Sequence, residues 1–350
     1  YRLSTPSAGN LHPLELYVQL RGIKGVASGI YHLDAAHDEL VLIEEVGAGL
    51  EPMLGYAHRF EGALILFSFV PYRSEWKYGA RAWRYCYMDA GHQLSALLCA
   101  LKHEGLETAP TPEFDAQALQ RFMGFGHQEF AALSLAVGRE TDRRARSAKR
   151  PIMQVAPTDY CRSDGRVPDW LAACPTLRFD PYRFAIDIPH DRQLSRRSAR
   201  QFSAKALEAG VFEQFLQWQG DSCPEGINAH MVVLDADERS GIWSKGTLVR
   251  SGRFGESVSA LLVGQRFVAE GAVVLILTTT EYSETLQLQS AAFSQRLALQ
   301  MAGLGVGYTA IGAFYDHELQ TFLTTSDAIL HVGVFGMEDN ERKDHEQSTQ

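Results

Sequence analysis

Ala63-Leu-Ile-Leu-Phe-Ser-Phe-Val70 and Ala272-Val-Val-Leu-Ile-Leu-Thr-Thr279 decide the fold. Each reads as a buried strand, because a short run rich in aliphatic, β-branched and aromatic residues bounded by turn residues fits a covered sheet. Gly62 and Pro71 bound the first run. A helical pattern follows each. Trp83, Tyr87, Ala90, Leu94, Leu97, Leu98 and Leu101 recur at steps of three and four, and Gly105 closes that segment. After the second run, Leu286, Ala292, Phe293, Leu297 and Met301 mark an amphipathic helix over 284–302, ended by Gly303-Leu-Gly305. A closing strand comes next in both places, Ala131 to Val137 and Ile329 to Phe335. This order is a divergent internal repeat. One half alone leaves a helical face uncovered, and two halves can bury their long helices against each other as a two-fold dimer does.

Working outward, Leu14 to Leu20 alternates as a strand, and Gly29 to Leu33 with Glu39 to Glu44 forms a hairpin around Asp34 to Asp38. His230 to Leu234 is a strand of the second half. Arg139 to Arg150 (RETDRRARSAKR) buries little apolar surface and reads as the start of a linker. An irregular stretch with Cys161 and Cys174 follows it. The expected domains are 1–138, a linker 139–190, a second domain 191–338 and a polar tail 339–350. The chain opens at Tyr1 in what reads as mid-domain, so a preceding segment is expected.

The chain has 350 residues, 45% hydrophobic and 21% charged, the balance of a soluble globular protein. Its apolar runs stop short of the roughly 18 residues that span a bilayer, so no membrane association is expected. A net charge of −9 argues against nucleic acid, which needs a basic surface, but leaves room for a local phosphate pocket. Five scattered cysteines with no CxxC pair suggest free thiols and a cytoplasmic location. None stands at zinc-finger spacing from a His, so no metal is expected.

Four motifs can carry chemistry. Thr5-Pro-Ser-Ala-Gly-Asn10 can set backbone N–H groups and an amide against a planar heterocycle, or it is a plain turn before the first strand. Lys77-Tyr78-Gly79 opens the long helix, with Arg81, Arg84, Tyr85 and Asp89-Ala-Gly-His92 beyond. The Lys-Tyr pair can transfer protons, or it is a solvated Lys beside a packing Tyr. Arg196-Arg-Ser-Ala-Arg-Gln-Phe202 suits a phosphate, because guanidinium forks match its oxygens, or it is an exposed basic turn. Gly303-Leu-Gly-Val-Gly-Tyr-Thr-Ala-Ile-Gly312 lets backbone approach a flat ring, although it ends a helix and does not fit the dinucleotide fingerprint. His12, His92 and His230 lie near these features and read as packed or hydrogen-bonded residues.

Together these pieces resemble the nitroreductase superfamily, and the first half resembles its SagB-type branch, which oxidises azolines to azoles in ribosomal peptides. The resemblance rests on TPSAGNLHPLELY, KYGARAWRYCYMDAGHQ and HEGLETAPTPEFDAQALQRFMGF, spread over residues 1–138. The second half is similar to an ordinary nitroreductase unit through RRSARQF, the 284–302 helix, GLGVGYTAIGAF and ILHVGVFG. The resemblance implies an α+β fold of two such units, each a mostly antiparallel sheet flanked by helices, joined as an intrachain pseudo-dimer with FMN where they meet. It implies that Arg196, Arg197, Ser198 and Arg200 hold the FMN phosphate. Ser7 and Asn10 would lie near the ring, and backbone at Gly305, Val306 and Gly307 near its edge. Lys77 and Tyr78 match the family's proton-transfer pair.

The first half lacks an arginine segment, and the second has only Cys223-Pro-Glu-Gly-Ile-Asn228 in place of the Pro-Ser loop. One complete FMN site per chain is therefore implied. The implied substrate is a peptide carrying a cyclised Ser, Thr or Cys, with a cyclodehydratase-type partner supplying leader recognition. Two alternatives stay open: NAD(P)H-dependent reduction of a nitro or quinone compound, and a flavin-free scaffold in a peptide-modifying complex.

Overall fold

The computed structural model describes residues 3–110, 114–126, 128–146, 151–152, 169, 177, 179–234 and 238–339. The chain divides into two compact units. The first takes Ser7–Ala90 and the chain from Glu104 to Tyr182. The second takes Leu3–Pro6, Gly91–His103 and the chain from Arg183 onward.

In the first unit, β1 (Leu14–Arg21), β2 (Gly29–Asp34), β3 (Glu39–Glu45) and β4 (His58–Phe69) precede α1 (Tyr72–Tyr78) and the start of α2 (Ala82–His103), which belongs to the second unit from Gly91 on. Then come β5 (Ala109–Pro110), α3 (Ala116–Met123) and β6 (Phe130–Arg144). The sheet has the order β3-β2-β1-β4-β6-β5, with every neighbouring pair antiparallel. Period-two alternation sends Leu64 and Leu66 of β4 into a core with Leu119, Phe122 and Met123 of α3. Asp115 caps α3 by accepting the Ala118 N–H at 2.9 Å, and Gly124, at φ 70°, ends it. Each large apolar side chain so buried contributes about 1.5–3 kcal/mol.

Two expectations need correcting. Arg139 to Arg144 do not begin a linker. They continue β6, with Arg139 opposite Glu61, Glu140 opposite Phe60 and Arg144 opposite His58. Polarity misled here because a ladder is held by backbone hydrogen bonds, which need no apolar side chain. Lys77 and Tyr78 do not open the long helix either. They close α1, and Gly79, at φ 54° and ψ −140°, breaks the chain before a 3-10 turn and α2. The stretch holding Cys161 and Cys174 and the tail beyond 339 lie outside the described residues.

In the second unit, α4 (Pro181–Phe184), which begins just ahead of its boundary, α5 (His190–Ser195) and α6 (Ala209–Ser222) lead into β7 (Asn228–Val233), β8 (Gly241–Ser244) and β9 (Thr247–Ser251). There follow α7 (Gly255–Leu261), β10 (Val273–Thr279), α8 (Glu284–Ala302), β11 (Val306–Ile311), α9 (Asp316–Leu323) and β12 (Ala328–Met337). The sheet runs β11-β12-β10-β7-β8-β9, again antiparallel throughout. Ser283 caps α8 by accepting the Leu286 N–H. Buried residues surround α8 on most of its circumference, as expected of a central helix. Gly91 permits a close approach there: a Cβ on it would sit 2.2 Å from the Leu288 carbonyl oxygen.

The two sheets correspond strand for strand. β1, β2, β3, β4, β5 and β6 occupy the places of β7, β8, β9, β10, β11 and β12. The correspondence reaches single residues. The β4–β6 ladder slips between Phe67 and Ser68, passing over Ala132, and the β10–β12 ladder slips between Leu277 and Thr278, passing over Leu330. A hydroxyl–carboxylate pair stands beside each slip, Ser68 to Glu129 at 2.6 Å and Thr278 to Asp327 at 3.0 Å. Each long helix is followed by a left-handed glycine, Gly105 at φ 68° and Gly305 at φ 75°.

Candidate functional site

In the first unit, the Pro-Ser segment forms a tight loop that enters β1. Gly9, Asn10 and His12 have φ of 64°, 59° and 45°, a left-handed turn disfavoured for the last two residues. What holds it is α2. Ser7 Oγ lies 2.5 Å from Asp89 Oδ2, and the Ala8 N–H donates to Asp89 Oδ1 at 3.3 Å. The His12 N–H donates to Ser7 Oγ at 2.9 Å, and His12 Nε2 pairs with Asn10 Oδ1 at 3.0 Å. Arg73 closes the far side by donating to the His12 carbonyl at 3.0 Å. Asp89 is buried, and burial pushes its carboxyl up to about 7 although Ser7 and Ala8 pull it down.

Lys77 and Tyr78 meet this loop. A Cβ on Gly9 would lie 2.5 Å from the Tyr78 hydroxyl and 2.9 Å from Lys77 Nζ, so both polar heads rest on the glycine. The Tyr78 ring packs edge-on against Tyr85 at 4.7 Å between centroids. Burial, and secondarily the Asp89 carboxylate, push the Tyr78 phenol up, so it keeps its proton at neutral pH. Ser7, Asn10, Lys77 and Tyr78 thus form one cluster.

The second unit brings together the other two motifs. The Ala199 N–H donates to the Tyr308 carbonyl at 2.8 Å, and Ser198 bridges Tyr308 in parallel fashion, so the arginine segment runs beside β11 just past Gly305, Val306 and Gly307. Arg196 is buried. Its Nε donates to the Ser4 carbonyl, its Nη1 is buried with no partner, and burial lowers its guanidinium to about 10. Arg197 and Arg200 are exposed, and Ser198 is half-buried. A Cβ on Gly307 would strike the Glu338 side chain at 2.5 Å.

Beneath this segment lies a polar cluster that the sequence did not disclose. The Tyr308 hydroxyl pairs with Ser294 Oγ at 2.9 Å and His331 Nε2 at 3.0 Å. The His331 ring stands 5.3 Å from that of His92, whose Nδ1 pairs with Gln295 Oε1 at 3.2 Å. Burial alone drives His331 down to about 3. Burial, then His331 and Arg196, drive His92 well below its ordinary value, so both are neutral. The β-strand alternation that marks His331 as inward was the one available signal. His230 is partly buried beside Thr278 at 3.3 Å. Cys223-Pro-Glu-Gly-Ile-Asn228 is a turn into β7, closed by Ile227 N–H to Pro224 O at 3.2 Å.

Among the described residues no group of three or more His, Cys, Asp or Glu is placed to hold a metal, and no helix is long and apolar enough to cross a membrane. Cys86, Cys99 and Cys223 are free thiols.

Residues 3–139 match the nitroreductase family. That match covers β1 through β6, the loop and the Lys-Tyr pair. A protein of Methanocaldococcus jannaschii named as a candidate nitroreductase is 28% identical over 143 residues, 40% of this chain and 71% of its own length. A candidate nitroreductase from Anabaena variabilis has the same fold across both units, with a TM-score of 0.74, 19% identity, and coverage of 96% of this chain and 82% of that one. A candidate nitroreductase from Desulfovibrio desulfuricans, solved in complex with FMN, aligns with 43% of this chain and 86% of its own at 16% identity and a TM-score of 0.33. The family match covers the first part of the chain alone, and the likeness of fold extends over both units.

Proposed function

We propose that this chain is an FMN-dependent oxidoreductase that dehydrogenates azoline rings in a ribosomally made peptide. The observation that carries the reading is the meeting of Lys77 and Tyr78 with the Ser7–Asn10 loop at Gly9, inside the segment that matches the nitroreductase family. The residues present fit FMN. Arg196 has a buried guanidinium nitrogen without a partner, and Arg197 and Arg200 add exposed positive charge beside it, as a phosphate requires. Ser198 would assist there, backbone around Gly305, Val306 and Gly307 would approach the ring edge, and Ser7 and Asn10 would face the ring.

Bound FMN would supply the acceptor for a hydride from the azoline carbon, with dioxygen or another oxidant restoring it. The protein's part is to move the accompanying proton. That proton passes to the Lys77–Tyr78 pair. Tyr78 is held protonated, which suits its oxygen to donate a hydrogen bond rather than to start as the base. Lys77 Nζ, on the same side of Gly9, would take that proton in its amine form and pass it to solvent. The arginine segment binds and orients, and the polar cluster at Tyr308 steadies it. A cyclodehydratase-type partner would supply the peptide.

The names of the Methanocaldococcus and Anabaena relatives favour a second reading, reduction of a nitro or quinone compound by NAD(P)H. One experiment separates these. The visible spectrum of the purified protein gives its flavin-to-chain ratio, with one FMN per chain expected. Anaerobic mixing with an azoline peptide should then bleach the flavin. Bleaching by NADPH and not by the peptide supports the second reading. A protein that stays colourless with added FMN refutes both and leaves a scaffold.

A further inference from the structure

We propose that Asp89 is the positioning residue of the Ser7–His12 loop, anchoring the loop from α2 through both carboxyl oxygens. The part of this that concerns a cofactor rests on the functional reading above; the anchoring itself does not.

The geometry is specific. Both carboxyl oxygens of Asp89 face the loop and nothing else among its recorded hydrogen bonds. Oδ1 accepts the Ala8 N–H at 3.3 Å, and Oδ2 stands 2.5 Å from Ser7 Oγ. Ser7 Oγ in turn accepts the His12 N–H at 2.9 Å, so one carboxyl ties both ends of the turn. The turn needs such a tie. Non-glycine residues at positive φ are costly, on the order of 1–3 kcal/mol each where the surroundings force them, and Asn10 and His12 are two of them.

The groups around Asp89 bear on its charge. Tyr78, at the end of α1, faces it and keeps its own proton. Cys86, one turn earlier on α2, is fully buried and pushed far up by burial and by the charges of Asp89 and Glu75. Two cations stand at this loop: Lys77 rests on Gly9, and Arg73 donates to the His12 carbonyl and pairs with Glu15 rather than with Asp89. Without a partner cation, the acid is favoured over the carboxylate. Ser7 Oγ donates to Oδ2 and the Ala8 N–H to Oδ1; both hydrogen bonds pull the acid down, and burial outweighs them. Covering the acid raises it to about 7, so the covered loop holds the proton more tightly than an open, hydrated one. The anchor therefore weakens as pH rises through about 7, and Ser7 and Asn10 lose their fixed place.

Hydrogen–deuterium exchange of the segment 5–12, corrected for intrinsic rates, tests this at about pH 6 and about pH 8. Wild type should lose protection between the two. Asp89→Ala and Ser7→Ala should each lose roughly tenfold or more at the lower pH, the loss expected for one such hydrogen bond, and the double variant little beyond that. Asp89→Asn mimics the neutral acid and should hold the segment equally at both pH values. If Asp89→Ala keeps wild-type protection, or if Asp89→Asn keeps the wild-type pH dependence, the proposal is overturned. Ser7→Ala, a small change on a half-buried loop, guards against a folding failure of the helix variants. With FMN added, the wild-type flavin band should shift over the same pH window and that of Asp89→Asn should not. A wild type that takes up no FMN would refute the functional reading while the exchange data still decide on Asp89.

Discussion

The two units keep one strand order, one slipped ladder and one left-handed glycine after the long helix, yet they differ wherever chemistry is concentrated. The first unit has a six-residue loop pinned to α2 by Asp89 and touched by Lys77 and Tyr78. The second has the Cys223–Asn228 turn in that place, closed by its own backbone. Conversely, β11 of the second unit is a six-residue edge strand that carries Tyr308 and docks the arginine segment, whereas β5 of the first is two residues long. Where β12 places the buried His331 opposite Leu277, β6 places Leu133 opposite Phe67. Backbone register survives divergence because ladders and bulges need few particular side chains. Side-chain clusters do not survive it, so each unit carries its own set of candidate residues.

The largest effect should come from the proton-transfer pair. Lys77→Ala and Tyr78→Phe should leave flavin content unchanged and slow single-turnover flavin reduction by an azoline peptide by about 10²–10⁴-fold. Unchanged rates in both would make the pair structural and remove the chief distinction of the first unit.

Asp89 should show in stability next. Its pKa is raised on folding, from an ordinary carboxylate value near 3.8 to about 7. The stability it contributes is therefore full below the unfolded value and is lost as pH rises to about 7. Asp89→Asn removes that loss. Urea unfolding should show the variant gaining on wild type from about pH 5 to about pH 8, by roughly 3 kcal/mol at most. A gain independent of pH would mean that Asp89 titrates normally.

In the second unit, the three arginines should not be equal. Arg196→Ala removes a buried donor and should weaken FMN binding roughly tenfold or more, since a charged hydrogen bond is worth on the order of 1.5–3 kcal/mol. Arg200→Ala, at an exposed position, should weaken it less. Equal losses would place the phosphate away from the buried guanidinium.

The smallest effect should come from the cluster below. Tyr308→Phe strands one nitrogen of His331 and should destabilise by about 1–3 kcal/mol in the same urea assay. His331→Leu installs the residue type of the first unit, and the double variant should cost less than the sum of the singles. Strict additivity would mean that the two side chains do not act as a pair.

The sequence by itself determined the buried strands, the two long helices and their repeated order, while the antiparallel α+β class came from the family resemblance. Period-two and three-to-four-residue spacing record burial along one element, and that is local information. It also marked the four motifs, because loop glycines, a Lys-Tyr pair and clustered arginines are unusual in composition. It misread Arg139 to Arg144 as a linker, since ladder hydrogen bonds leave no trace in side-chain polarity. Only the tertiary structure decided which motifs meet. Ser7 and Asp89 stand 82 positions apart, and Tyr308 and Ala199 come from distant segments; their pairing depends on where the packed elements bring them. The same is true of charge. Asp89, His92, Arg196 and His331 are ordinary ionisable residues in the sequence, and burial is what makes the acid hold its proton and the histidines lose theirs.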